Sequence, residues 1–249
     1  MSRRSLRPVI AWAGLIAIAN WRGRGLWSGV ILGMLAGAAA RFFATASLGQ
    51  DTRVMIDLLL ALTTLGSLAI CWMQANSLAS AEQDRGTGLL IASKPLTAGQ
   101  YAVGRWLGLV LSSGAIYVLS SLLALLIASW GQSLPISQIM LAWLVSGGEL
   151  LVLAALANLF ACWTTPTLAS LLTLSVWFIG HSLDLLVTST GWPWLGYILP
   201  NMSRFNLHET YVQATALPLS YYLLTAVYAL AWSALLTALA ALAVKRRAW

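Results

Sequence analysis

An all-helical integral membrane fold follows from three features of the sequence: 59% of its residues are hydrophobic, only 8% are charged, and its apolar stretches run on without interruption. Seven acidic and fourteen basic residues in 249 leave too little polar surface to cover a soluble globule. A hydrocarbon core of about 30 Å takes roughly 20 apolar residues per helical crossing. Runs that meet this need are Leu26–Phe43, Val54–Met73, Trp106–Trp130, Ile139–Trp163, Thr167–Val187 and Leu219–Val244, which predicts six spans. A transmembrane barrel would show strict alternation over segments of about ten residues, whereas these runs are rich in consecutive Leu and Ala. The predicted organisation is one domain over residues 1–249, an N-terminal interfacial helix followed by six transmembrane helices.

The first apolar stretch, Pro8–Asn20, is short for a span and ends in the polar break Trp21-Arg22-Gly23-Arg24. Arg3, Arg4 and Arg7 imitate the basic start of a signal peptide, but no convincing small-residue cleavage site follows. Residues 8–22 are therefore expected to lie in the interface and lead into the first span, with Trp12, Trp21 and Trp27 at headgroup depth.

Placing both termini and segment 74–105 on one side collects Arg3, Arg4, Arg7, Arg22, Arg24, Arg85, Lys94, Arg105, Lys245, Arg246 and Arg247 there. Only Arg41, Arg53 and Arg204 remain on the other side or at its span ends. The positive-inside rule makes the first side cytoplasmic. The net charge of +7 is then explained by anionic lipid beside the spans and calls for no nucleic acid.

Cys71 and Cys162 belong to no CxxC or Cys/His spacing and read as small buried hydrophobes. Many of the thirteen tryptophans, Trp72, Trp106, Trp130 and Trp163 among them, fall at span ends, as an aromatic belt requires.

The connections Ala44–Arg53, Gly131–Gln138 and Thr164-Thr165-Pro166 are short, so only two segments are long enough to carry function. The outer one, 188–218, mixes aromatic and polar residues with Pro193 and Pro200 and is expected to dip into the interface as broken helices. The inner one, 74–105, is polar and mixed in charge. Glu82 and Arg85 stand one helical turn apart, and Gly86, Gly88 and Pro95 interrupt the helix before Ala98–Arg105 resumes it. A short amphipathic helix followed by a turn is expected there.

That inner segment also carries a resemblance. Glu82, Thr87, Leu89-Leu90, Ser93-Lys94-Pro95-Leu96 and Gly104-Arg105-Trp106-Leu107-Gly108 resemble the signature of ATP-binding cassette permeases of the ABC-2 type. Two more segments resemble the subgroup of multicopper-enzyme-maturation and sodium-export permeases: Leu159 to Leu174 with Ile179-Gly-His-Ser-Leu-Asp184, and Leu199-Pro-Asn-Met-Ser-Arg-Phe-Asn206. The resemblance implies a type V exporter-like half-transporter in the bacterial inner membrane, with both termini cytoplasmic. It also implies a separate ATPase subunit that binds ATP and a second permease copy or homologous permease. Glu82, Asp84, Arg85 and Thr87 would then lie in the coupling helix, Ser93, Lys94 and Pro95 in the turn after it, and 188–218 would be the outer re-entrant element. Gln83-Asp84, Gly86 and Gly88 depart from the usual pattern of the coupling helix.

No GxxxxGK[ST] phosphate loop occurs in the sequence, so ATP hydrolysis is expected in a partner chain and none in this one. HExxH and GxSxG are absent too, and the seven carboxylates are scattered, which argues against a metalloprotease, a serine hydrolase or a metal-dependent lipid phosphotransferase.

Ionisable residues at membrane depth are costly and so become functional candidates. Asp57 and Asp184 fall near outer span ends, and Glu149 lies deeper, beside Ser146-Gly147-Gly148, where missing side chains let another helix approach. Glu149 serves either interhelical hydrogen bonding, within the chain or to a second protomer, or the transport path. His181 and His208, with Trp192, Pro193 and Trp194 between them, offer an alternative: a membrane assembly or haem-handling factor. No resident cofactor or metal is expected on the main reading.

Overall fold

The computed structural model describes residues 3–47, 50–84, 96–192, 194–207 and 217–247. Every regular element among them is helical: α1 Arg3–Asn20, a π-helical turn Trp21–Gly25, α2 Leu26–Thr45, α3 Asp51–Asp84, α4 Ala98–Ala128, α5 Ile136–Trp163, α6 Pro166–His181, α7 Leu183–Thr190, α8 Leu195–Ile198, a 3-10 turn Ser203–Phe205, and α9 Leu219–Arg247. Five helices, α2, α3, α4, α5 and α9, are long and apolar enough to cross a membrane, and α6 with α7 makes a sixth if the bent pair is one span.

The N-terminal helix is not separate from the first span. Asn20, Gly25 and Leu26 all have right-handed helical backbone, so α1 passes through the π turn into α2. The whole length runs parallel to α4. Trp12 packs against Gly104, Ile16 against Gly108, and Asn20 donates to Ser112 Oγ, a constant offset of 92 residues. Beyond the π turn, Gly29 meets Ile116, Gly33 meets Ser120 and Gly37 meets Ala124, an offset of 87. Five residues are absorbed where the helix bows away from α4, and Gln74 of α3 fills the bow by accepting from Ser112 Oγ at 2.9 Å. Gly33 and Gly37 allow the closest approach, since a Cβ on either would stand 2.7 to 2.8 Å from an α4 carbonyl oxygen.

Helix α3 lies antiparallel to α4, with Glu82 beside Arg105, Gln74 beside Ser112 and Ser67 beside Ser120. At 34 residues it is about 51 Å long by its rise per residue, well beyond a 30 Å hydrocarbon layer. The stretch Gln74–Asp84, expected to begin a separate amphipathic helix, is instead the continuation of α3. Helix α4 opens on a reciprocal cap, in which Thr97 Oγ1 accepts from Gln100 N and the Gln100 side chain accepts from Thr97 N.

The expected span Thr167–Val187 is not straight, because α6 and α7 meet at 66°. In a continuous helix the Gly180 carbonyl would accept from Asp184 N, but it accepts from Met202 N at 3.1 Å. A Cβ at Gly180 would stand 2.7 Å from both Pro200 O and Met202 Cγ, so the outer segment lies directly on the end of α6. Among its described residues that segment holds the end of α7, α8 and the 3-10 turn. Gly191 ends α7 in the left-handed conformation at φ 69°. Met202, Phe205 and Leu207 are buried against α5 and α9, whereas Trp192, Trp194, Tyr197 and Ile198 are exposed.

Helix α5 is the most buried of the long helices and has an apolar cluster on either side. One joins it to α2, α3 and α4 through residues such as Leu59, Leu109 and Leu153. The other joins it to α9 and the outer segment through Val152, Phe205 and Leu236.

Candidate functional site

Two buried polar clusters hold the candidate residues. The first ties the end of α3 to the start of α4. Glu82, on the last turn of α3, places Oε2 at 3.0 Å from Arg105 Nη1 and accepts from Tyr101 Oη on Oε1 at 2.9 Å. Tyr101 and Arg105 are four residues apart on α4, hence on one face. The Arg105 side chain is 2% exposed and that of Glu82 16%. Arg105 Nη1 also reaches Cys162 Sγ at 3.9 Å on the last turn of α5, where Asn158 Nδ2 donates to Ala102 O at 3.0 Å. Arg105 Nε and Nη2, by contrast, are buried without a hydrogen-bond partner. Helix α1 closes the cluster, with Trp12 5.9 Å from the Tyr101 ring. Four helices thus converge on one ion pair.

Removing either charge would leave the other in a low-dielectric setting, which typically costs 3–5 kcal/mol, so the pair behaves as a strut. This changes the meaning of Glu82. Expected one helical turn from Arg85 in a coupling helix, it directs its carboxylate to Arg105 and Tyr101. Asp84 is the last residue of α3, and its side chain lies outside the described residues, as do Arg85, Thr87, Ser93, Lys94 and Pro95.

The second cluster centres on Glu149, midway along α5. Its Oε1 accepts from Trp177 Nε1 at 2.6 Å and faces His181 Nε2 at 2.8 Å. Trp177 and His181 are four residues apart on α6, their rings 4.8 Å apart and edge-to-face. The Glu149 side chain is 4% exposed and that of His181 27%, so the histidine is the more open member of the pair. Nearby, Tyr117 donates to Trp143 O at 2.9 Å and Trp143 Nε1 donates to Thr63 Oγ1 at 3.0 Å, joining α4, α5 and α3.

The small residues beside Glu149 divide. A Cβ at Gly148 would stand 2.8 Å from Phe205 Cε1 and 3.2 Å from Ala229 Cβ, so the close neighbours are the outer segment and α9 of the same chain. At Gly147 the nearest atom is Tyr117 Cε1 at 3.6 Å, ordinary contact. Asp184 is exposed and accepts from Asn201 Nδ2 at 2.7 Å and Ser203 Oγ at 2.5 Å, pinning α7 to the outer segment. Asp57 is half-buried on the second turn of α3.

For the haem alternative, His208 lies outside the described residues, and the Nε2 of His181 that would ligate iron is directed at Glu149. Among the described residues no three His, Cys, Asp or Glu side chains group as metal ligands. Cys71 and Cys162 are both buried.

Sequence reading overlooked the roles of Arg105, Tyr101 and Trp177. Each stands at the four-residue spacing that marks a shared helical face, Tyr101 with Arg105 and Trp177 with His181, and that spacing is the signal that was present. Comparison with known proteins finds no family model that matches the chain and no curated protein that matches it.

Proposed function

We propose that the chain is the transmembrane subunit of an ATP-binding cassette exporter of the ABC-2 kind, driven by a separate ATPase and paired with a second permease across the bacterial inner membrane. The observation that carries this reading is the Glu82–Arg105 strut. It brings the ends of α3 and α4 together at the base of the residues bearing the ABC-2-like motif, so that a push on that segment is received by two long helices at once.

The charge at this end of the bundle supports the orientation. Arg7, Lys245 and Arg246 are exposed there, as a cytoplasmic face requires. The movement would travel along α3, α4 and α5 to Glu149 and His181, which lie beneath the outer segment, and change the pathway between the two permeases. ATP binds to the partner ATPase in this scheme, and this chain performs no chemistry of its own.

The test is an affinity pull-down of the detergent-solubilised protein from its host, with mass spectrometry of what accompanies it. A stoichiometric subunit with a phosphate loop is expected, and its loss from a Gln83→Arg variant, which alters an exposed position at the end of α3, would place the contact there. Recovery of the protein without any ATPase, together with a Soret band in its absorption spectrum, would overturn the reading.

A further inference from the structure

We infer that the outer segment lines an aqueous vestibule, open at the end of the bundle away from Arg7 and Lys245, that reaches half-way down the molecule to the level of the Glu149–His181 pair. The inference deepens the export reading above and rests on it for what it says about cargo: a path that meets water at mid-depth suits a hydrated, polar group rather than an acyl chain.

Contacts with α5 give the depth. Helix α6 starts at Pro166, just after α5 ends at Trp163, and after only 16 residues it stops at His181, beside Glu149. Glu149 is thirteen residues from Ile136 and fourteen from Trp163, the two ends of α5, so it lies about 20 Å from each by helical rise. A hydrocarbon layer of about 30 Å leaves about 12 Å of this 28-residue helix to spare, and Glu149 stays about 8 Å inside the layer even when all of that falls at one end. The outer segment lies at the same level. Met202 N donates to Gly180 O, Ser146 Oγ donates to Phe205 O at 3.4 Å, and Phe205 is what a Cβ at Gly148 would meet first. From α9, the Tyr228 hydroxyl accepts from Asn201 N at 2.7 Å.

What stands at this level is incompatible with lipid. Between Leu199 and Leu207 the only regular structure is the 3-10 turn, and Asp184, Arg204 and Asn206 are exposed. Asp184 is held by Asn201 and Ser203, and the Arg204 guanidinium lies 5.2 Å over the Tyr228 ring, so neither charge is paired with an opposite one among the described residues. Irregular backbone and charged side chains persist at membrane depth only against protein or beside water. Met202, Phe205 and Leu207 take the protein side, which leaves water for Asp184, Arg204 and Asn206. The 66° bend between α6 and α7 is a break of the kind that marks the binding region of transporters near the midplane. His181, the more open member of its pair, is the group that vestibule water meets.

The test uses the full-length chain in lipid nanodiscs, without an ATPase. Nitroxide labels are placed, one per protein, on Arg204→Cys and Asn206→Cys, either side of Phe205, and on two exposed apolar positions at similar depth, Phe178→Cys on α6 and Val118→Cys on α4. The buried native cysteines stay in place. Power saturation then compares collisions with a water-soluble nickel chelate and with oxygen, which concentrates in lipid. The chelate should dominate at Arg204→Cys and Asn206→Cys and oxygen at Phe178→Cys and Val118→Cys, a reversal of the ratio. Oxygen dominating at all four would put the segment in hydrocarbon, and the chelate dominating at all four would put this level outside the bilayer; either result overturns the vestibule. Recovery or loss of an ATPase leaves these ratios unchanged and bears on the export reading alone.

Discussion

His181 Nε2 lies 2.8 Å from Glu149 Oε1, bridging α5 and α6 around a carboxylate that is 4% exposed. Trp177 donates to the same oxygen, so this carboxylate gathers two ring nitrogens from one face of α6. Glu149→Leu leaves both without their partner and should destabilise the fold by about 2 kcal/mol, whereas Glu149→Gln keeps an acceptor oxygen for Trp177 and should cost about half as much. Thermal unfolding in detergent checks the order. Because the partners of Glu149 and Gly148 are in the same chain, neither substitution should alter the oligomer seen by size-exclusion chromatography with light scattering.

The glycines along α4 make a sharper contrast. A Cβ at Gly108 would stand 2.7 Å from Ile16 Cβ and 3.0 Å from Ala13 O, while one at Gly114 meets nothing within 4 Å. Gly108→Ala should destabilise by about 1–3 kcal/mol through overpacking, and Gly114→Ala should be neutral or slightly stabilising through helix propensity. Equal melting temperatures for the two variants would show that α1 does not pack on α4 as described.

Much of this was legible from the amino acids, and the reasons are physical. Long apolar runs announce helices because the bilayer demands internally satisfied backbone, so α2, α3, α4, α5 and α9 were found from hydrophobicity alone. The bend between α6 and α7 was not, since it depends on Met202 reaching Gly180 from a segment about twenty residues onward. The same holds for Glu82. Its contacts with Arg105 and Tyr101 come from the next helix, about twenty residues onward, and carried no local sign. Glu149 was singled out correctly as a buried carboxylate, but its donors come from another helix and carried no local motif.

Glu82→Ala should strand the guanidinium of Arg105, which is 2% exposed, and lower the yield of folded protein, at a cost of about 3–5 kcal/mol. Glu82→Gln, which retains two polar atoms of the same shape, should be recovered in larger amounts. Fluorescence-detected size-exclusion profiles compare the two directly, and profiles of both equal to that of the parent would mean that the ion pair is dispensable for folding.

Sidedness has its own check. Cys71 and Cys162 are buried, so the native protein should react poorly with maleimides until unfolded. Gln132 and Thr165 are exposed at opposite ends of α5. In intact spheroplasts a membrane-impermeant maleimide should modify Gln132→Cys readily and Thr165→Cys only after permeabilisation. The reverse pattern would invert the proposed orientation.

The π turn at Trp21–Gly25 imposes a constraint of counting rather than of chemistry. On either side of it the chain keeps step with α4, at offsets of 92 and 87, so the turn works as a phase adjuster between two stretches of one long helix. Each residue of an α-helix advances the side-chain direction by about 100°. Removing one residue from Trp21–Gly25 would therefore rotate Val9, Ala13, Ile16 and Ala17, which are now buried, off their contact line, even though none of them had changed. At this point the protein should accept hardly any change in length.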